Sequence, residues 1–128
     1  MEIVNVLFLG GAKRVSLAEH LIKTGQKLGL DISIFSYELD SRVPLASVGV
    51  IIEGKKWSDS EVLADIHSQI IKNDISIVLP FVDPAIEIAE KLKSGNPRVF
   101  IPTCGEDICS IMFDKALSEK WFIENHGK

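Results

Sequence analysis

The stretch VLFLGGAKRVSLAEHL, Val6–Leu21, decides the fold class, because an apolar run passes through two glycines into an amphipathic segment. The run begins at Ile3 and ends at Leu9, and a continuous apolar run of this kind is typical of a strand that is buried on both faces. Apolar residues then recur at helical spacing, at Val15, Ala18, Leu21, Ile22 and Leu28. The stretch predicts a β-strand, a tight turn and a crossover helix.

The same alternation continues along the chain. Further strands are predicted at Asp31–Ser36, Val48–Ile52, Ile75–Leu79 and Arg98–Ile101. Helical spacing recurs at Val62, Ile66 and Ile70, and again at Ala85, Ile88, Ala89 and Leu92. Asp83 precedes Pro84, which predicts an N-cap followed by a proline at the first helical position. We therefore predict a three-layer α/β, Rossmann-like domain, with a mainly parallel sheet of about five strands and helices on both faces.

Composition narrows the class of protein. A chain of 128 residues with 46% hydrophobic and 25% charged content is typical of one soluble globular domain. The net charge of −4 argues against binding to a nucleic-acid backbone as the main function. The N-terminal segment has no basic flank and no cleavage site, and no apolar run reaches the roughly 18 residues of a membrane span. These features predict a cytoplasmic protein with no nucleic-acid or membrane partner.

The cysteines and histidines do not predict a metal site. Cys104 and Cys109 form neither a disulfide framework nor a complete ligand set, and they are expected to be reduced thiols. The three histidines lie in separate segments, without the paired spacing of metal ligands. No catalytic residue is predicted in this chain.

The turn after the first strand is the main candidate binding site. Gly10 and Gly11 permit a tight turn, and the following helix start offers unpaired amide groups to an anion. Lys13 and Arg14 add positive charge. The segment is consistent with a site for a phosphate or carboxylate, and equally with an ordinary strand-to-helix turn that carries two solvated basic residues.

Acidic residues follow two other strands. Glu38 and Asp40 come after the second strand, where a carboxylate can accept hydrogen bonds from a ribose or a substrate ammonium group, or can simply be solvated. Asp83 faces the same edge of the sheet, although its predicted capping role explains its presence. A dinucleotide-binding fingerprint requires a third glycine, and Val15 occupies that position, which argues against a nicotinamide cofactor.

Taken in order, these motifs resemble the N-terminal, pre-ATP-grasp domain of ATP-grasp enzymes, in the group similar to the carbamoyl phosphate synthase large chain. The resemblance rests on VLFLGGAKRVSLAEHL, SRVPLAS, LPFVDPAIEIAEKL and FDKALSEKWFIENHG, and it covers essentially the whole chain. In such proteins an Asp-Lys pair opens a helix that ends in a glycine just before the ATP-grasp body. Asp114 and Lys115 match the pair, and Gly127 matches the glycine.

The resemblance implies that residues 1–113 form the pre-ATP-grasp domain and that residues 114–128 form a helix leading into an ATP-grasp domain beyond them. The parent enzyme would use ATP and Mg²⁺ to phosphorylate a carboxylate and pass the acyl group to an amine. Lys115 would contact the nucleotide, while Gly10, Gly11, Lys13 and Arg14 would face the acidic substrate. Many relatives have a glutamate where this chain has Ala85, which puts a substrate role for the Asp83 turn in doubt.

The same resemblance predicts that residues 1–128 alone are inactive and bind no cofactor tightly, because the phosphate lid and the Mg²⁺-binding carboxylates belong to later parts of such enzymes. Two other functions remain open, a NAD(P)-binding Rossmann module and a non-catalytic, flavodoxin-like interaction domain. The predicted final helix carries Phe113, Leu117, Trp121 and Phe122, an apolar set that would also suit a homodimer contact.

Overall fold

A computed structural model of the chain describes residues 2–102, in which parallel strands alternate with helices. The elements are β1 (Glu2–Leu9), α1 (Val15–Lys27), β2 (Leu30–Glu38), a short 3₁₀ helix (Pro44–Ser47), β3 (Val50–Glu53), α2 (Val62–Lys72), β4 (Ile77–Pro80) and α3 (Asp83–Gly95). The predicted Rossmann-like α/β fold is confirmed.

All strand pairs in the sheet are parallel, and the strand order is β3-β2-β1-β4. In the register, Leu9 lies beside Tyr37 of β2 and beside Pro80 of β4. The chain therefore builds outward from β1 to β3 and then returns to add β4 on the other side of β1. This reversal opens a crevice at the carboxyl ends of β1 and β4, which is where open α/β sheets bind ligands.

The sheet has a hydrophobic layer on each face. Val4, Val6 and Phe8 of β1 pack with Ala18 and Leu21 of α1 in one cluster. The alternate residues Leu7 and Leu9 pack in a second cluster with α2 and α3, through Val62, Ile66, Ile70, Ala85, Ile88, Ala89 and Leu92. Because successive strand residues point to opposite faces, the continuous apolar run of β1 fills both layers.

The predicted count of about five strands is wrong, since the sheet has four strands within residues 2–102. The predicted strand Arg98–Ile101 forms one isolated parallel bridge, between Phe100 and Ile77. In this bridge the Phe100 amide donates to the Ser76 carbonyl over 2.9 Å, and the Val78 amide donates to the Phe100 carbonyl over 3.0 Å. Pro97 and Pro102 flank the segment and have no N–H group, which limits the ladder to this short pairing.

The predicted N-cap of the third helix is also corrected. The N-cap is Val82, in an extended conformation with φ −130° and ψ 152°, and no side chain caps the helix. Asp83 is instead the first residue of α3, so its carboxylate lies in the first turn near the positive end of the helix dipole. Proline is tolerated at this end of the helix because an N–H in the first turn has no intrahelical acceptor.

Several sequence predictions fall outside the described residues. These are the thiol state of Cys104 and Cys109, the helix of residues 114–128 and the domain boundary before it. In the described part of the chain, no helix is both long and apolar enough to cross a membrane.

Candidate functional site

An open cleft of about 640 Å³ lies at the carboxyl edge of the sheet, where the segments that follow all four strands meet. Its lining comes from the β1–α1 turn, the end of β2 and the connection after it, the β3–α2 segment and the β4–α3 connection. The lining residues are Gly10, Ala12, Lys13, Arg14, Glu38, Leu39, Asp40, Val43, Lys55, Trp57, Phe81 and Val82. The cleft thus lies at the reversal of strand order described above.

The β1–α1 turn forms the floor of the cleft. Gly10 has a φ of 76°, which side-chain-bearing residues rarely adopt, and this allows the chain to leave β1 sharply. The Arg14 amide then donates to the Gly11 carbonyl over 2.9 Å and closes the turn before α1. The Arg14 guanidinium lies 5.1 Å from the centroid of the Phe81 ring, so a cation–π contact holds this charge at the cleft.

The cleft has a different charge balance from the chain as a whole. Lys13, Arg14 and Lys55 contribute three cations, against the carboxylates of Glu38 and Asp40. Asp40 is already paired with Arg42 over 2.9 Å, and hydrogen bonds from Arg42 lower the pKa of Asp40. The lining is therefore cationic in a chain whose net charge is −4. Such a local excess of positive charge favours an anionic ligand.

Glu38 is the last residue of β2 and is half-buried, rather than lying beyond the strand as predicted. The Ser36 hydroxyl donates to its carboxylate over 2.5 Å and accepts a hydrogen bond from the Gly11 amide over 3.3 Å. Burial raises the pKa of Glu38 above its ordinary value of 4.5, although hydrogen bonds from Ser36 and Gly11 act in the opposite direction. Ser36 thus links the acidic side of the cleft to the glycine turn.

The raised pKa of Glu38 predicts a pH dependence of stability. Because the folded state holds this proton more tightly than the unfolded chain, the contribution to stability is complete below the ordinary pKa of 4.5 and is lost as the pH rises through the folded pKa. Glu38→Gln is therefore expected to gain stability relative to the parent chain as the pH rises from about 4 to 7. Urea unfolding across this range measures the difference, with the exposed Glu87→Gln as the control. A constant difference between Glu38→Gln and the parent chain would contradict the prediction.

The structure brings five of the predicted substrate-binding residues into one cleft: Gly10, Lys13, Arg14, Glu38 and Asp40. Gly11 and Asp83 do not line it. Gly11 is buried, and a Cβ there would lie 2.5 Å from the Phe8 ring, so its position is fixed by packing in the core. Lys115 lies outside the described residues. A binding role for these residues stays a prediction.

Several lining residues were not predicted from the sequence, notably Lys55, Trp57 and Phe81. Lys55 and Trp57 follow β3 as Phe81 follows β4, so inspection of the residues after every strand would have found all three. Their side chains give the cleft an additional cation and two aromatic surfaces. Among residues 2–102, no three His, Cys, Asp or Glu side chains are grouped so that they could hold a metal ion.

Comparison with known proteins shows the fold. No family model matches the chain, and no curated protein matches its sequence. It is similar in structure to dTDP-glucose 4,6-dehydratase from Bacillus anthracis, solved in complex with NAD, at 12% identity and a TM-score of 0.50, over 96% of this chain and 52% of that one. N5-carboxyaminoimidazole synthetase from Staphylococcus aureus matches at 16% identity and a TM-score of 0.45, over 80% of this chain and 25% of that one. The chain therefore spans about a quarter to a half of the length of these proteins.

Proposed function

We propose that this domain is the N-terminal, substrate-side domain of an ATP-dependent carboxylate–amine ligase of the ATP-grasp superfamily, similar to carbamoyl phosphate synthase. The observation that carries the proposal is the cationic cleft at the reversal of strand order, with Lys13 and Arg14 at the turn after β1. The order of the four sequence motifs supports the same family.

In this proposal the cleft holds the acidic substrate. Lys13 and Arg14 bind its carboxylate, or the phosphate of the acyl phosphate formed from it, through charge-assisted hydrogen bonds. The flexibility of Gly10 lets the turn approach the anion closely, and Glu38 and Asp40 accept hydrogen bonds from an ammonium or hydroxyl group of the substrate. ATP and Mg²⁺ would be bound by the ATP-grasp domain, with Lys115 contributing a contact to the nucleotide.

A NAD(P)-binding module is the second candidate, and the position of Glu38 favours it. An acidic residue at the end of the second strand is where Rossmann domains bind the ribose of a dinucleotide. Against it, Val15 stands where the third glycine of the fingerprint would be, and it packs against the core cluster of α1. A side chain at this position prevents the close packing of the helix on the strand that the third glycine allows in dinucleotide-binding domains.

Titration of the chain with acetyl phosphate, ATP and NAD tests the proposal by the shifts of backbone amide signals in NMR spectra. We expect acetyl phosphate to shift the amides of Gly10, Lys13 and Arg14, whereas ATP and NAD bind no more tightly than about millimolar. Micromolar binding of NAD would favour the second candidate, and micromolar binding of ATP to this chain would contradict the assignment of nucleotide binding to another domain. No response to any of the three would favour a non-catalytic interaction domain.

Removal of the two cations of the turn should weaken binding strongly. Lys13→Ala combined with Arg14→Ala is expected to weaken acetyl phosphate binding by tenfold or more, because each charged hydrogen bond typically contributes about 1.5–3 kcal/mol. The control is Lys23→Ala combined with Lys27→Ala, which removes the same charge from exposed positions in the later turns of α1. Equal losses in the two double variants would indicate a general charge effect and contradict a specific site.

A further inference from the structure

Residues 54–57, the first part of the connection between β3 and α2, form one wall of the cleft and have no role in the predicted site. Two of its side chains, Lys55 and Trp57, belong to the lining. Within residues 2–102, the Lys55 ammonium group has neither a hydrogen-bond nor a salt-bridge partner, although it is only partly exposed. The ring of Trp57 also reaches the floor of the cleft, since a Cβ at Gly10 would lie 3.5 Å from its Cζ2 atom.

This segment is held in place by the hydroxyl group of Tyr37, a β2 residue whose side chain is fully buried. The Lys55 amide donates a hydrogen bond to the Tyr37 hydroxyl over 2.8 Å, and the hydroxyl donates to the Asp65 carboxylate of α2. Burial, together with the hydrogen bond to Asp65, raises the pKa of Tyr37 above its ordinary value of 10.0, so the hydroxyl keeps the proton that it donates. The backbone of residue 55 is thereby tied to both β2 and α2.

The Tyr37 ring supports the same segment by packing. Its centroid lies 5.8 Å from that of the Trp57 ring, with 39° between the ring planes. Gly54 lies directly against the Tyr37 ring, where no side chain would fit, and the Gly54 amide donates to the Glu38 carbonyl over 2.8 Å. A buried tyrosine therefore fixes both the backbone of the segment and the orientation of its aromatic residue.

The side chains that line the cleft indicate which kind of ligand it would bind. Besides its charges, the cleft exposes apolar surface from Leu39, Val43, Trp57, Phe81 and Val82. A small hydrophilic anion would contact the cations and leave this surface in water. An organic acid with an apolar body would cover it, and the removal of apolar surface from water favours binding.

We propose that Lys55 and Trp57 are ligand-binding residues, that the ligand is an organic acid with an apolar body, and that Tyr37 is their positioning residue. The Lys55 ammonium group binds the acid group together with Lys13 and Arg14, and the Trp57 ring contacts the apolar body. The Tyr37 hydroxyl acts only through the 54–57 segment. This inference rests on the proposed function, because it names the substrate class of the same cleft.

Acetate and hexanoate are suitable probes, since they carry the same charge and differ only in their apolar part. The chain contains two tryptophans, so Trp121→Phe leaves Trp57 as the single tryptophan, and its emission reports on the cleft. In this background hexanoate is expected to bind about tenfold more tightly than acetate, because part of its chain is buried in the open cleft. Equal affinity for the two acids would overturn the assigned substrate class.

Lys55 and Lys56 provide a matched pair of variants. Lys55→Ala is expected to weaken the binding of both acetate and hexanoate about fivefold. Lys56 is the exposed neighbour that does not line the cleft, and Lys56→Ala should leave both affinities unchanged. Equal effects of the two substitutions would overturn the role of Lys55.

Failure of this inference can be distinguished from failure of the proposed function. If Lys55→Ala has no effect while acetyl phosphate still shifts the turn amides, this inference fails and the proposed function stands. If acetyl phosphate does not bind the parent chain, the proposed function fails.

Tyr37→Phe tests whether the Tyr37 hydroxyl positions the 54–57 segment, because it removes only the hydroxyl oxygen. We expect the Trp57 emission to move to longer wavelength and the preference for hexanoate over acetate to fall from about tenfold to below threefold. Ile70→Val is the control, since it removes one buried carbon from the core cluster that also contains Tyr37 and should change neither readout. If Tyr37→Phe alters only stability, as Ile70→Val does, the positioning role is overturned.

Discussion

Replacement of Phe8 with alanine is expected to lower the free energy of unfolding by about 3–5 kcal/mol, the usual range for the loss of a buried aromatic ring. Phe8 is fully buried near the carboxyl end of β1, within the cluster that joins the sheet to α1. Its ring also makes an edge-to-face contact with Phe81, with the centroids 4.7 Å apart. Because the Arg14 guanidinium lies over Phe81, the cavity would loosen both the core and one wall of the cleft.

Urea unfolding followed by circular dichroism measures this loss. Phe8→Leu is the matched control, because it keeps a large apolar side chain and leaves a smaller cavity than Phe8→Ala, so it should cost clearly less stability. A loss below about 1 kcal/mol in Phe8→Ala would show that neighbouring side chains fill the space, which would contradict the close packing of β1 against α1.

Gly54→Ala is expected to destabilise the domain by about 2–3 kcal/mol, near the upper end of the usual range for overpacking. An added Cβ would lie 2.1 Å from Cζ of Tyr37 and 2.5 Å from its hydroxyl oxygen, well inside van der Waals contact. Tyr37 is fully buried and cannot move aside, so the 54–57 segment must shift outward. The Trp57 emission should therefore change together with the free energy of unfolding.

Gly95→Ala is the control for this effect. Gly95 is the last residue of α3, and an added Cβ there would meet no atom within 4 Å. The same chemical change should therefore leave stability within about 0.5 kcal/mol of the parent chain. If Gly54→Ala were equally mild, the close contact between Gly54 and the Tyr37 ring would be contradicted.

Much of the fold follows from the sequence, because burial on both faces of a parallel sheet gives continuous apolar runs. The run Ile3–Leu9 predicted β1 almost to the residue, and the spacing of Val62, Ile66 and Ile70 predicted α2. The errors concern where α3 begins and whether residues 98–101 pair as a full strand of the sheet. Whether Val82 or Asp83 caps α3 depends on where the chain leaves the extended conformation, which residue type alone does not determine.

The candidate site was only partly predictable. The rule that ligands bind at the carboxyl ends of parallel strands located the β1–α1 turn and Glu38, and the structure brings both to one cleft. The role of Tyr37 could not be derived in this way. A buried tyrosine requires a hydrogen-bond partner, but the partner is Asp65 in a later helix, and its proximity depends on how α2 packs on the sheet.

The strand order also bears on local motion, because the floor of the cleft and the wall formed by residues 54–57 rest on strands of unequal protection. β1 is hydrogen-bonded on both sides, and Val6–Leu9 are fully buried, whereas β3 is a four-residue edge strand in which Val50 is 55% exposed. Local opening requires less free energy where backbone hydrogen bonds are few and exposed. We therefore expect the Gly10 turn to open less often than the wall that carries Lys55 and Trp57, where the hydrogen bond from the Lys55 amide to Tyr37 opposes opening with the edge of the sheet. A ligand that contacts both the floor and this wall would hold that edge closed, and its release would begin on the β3 side.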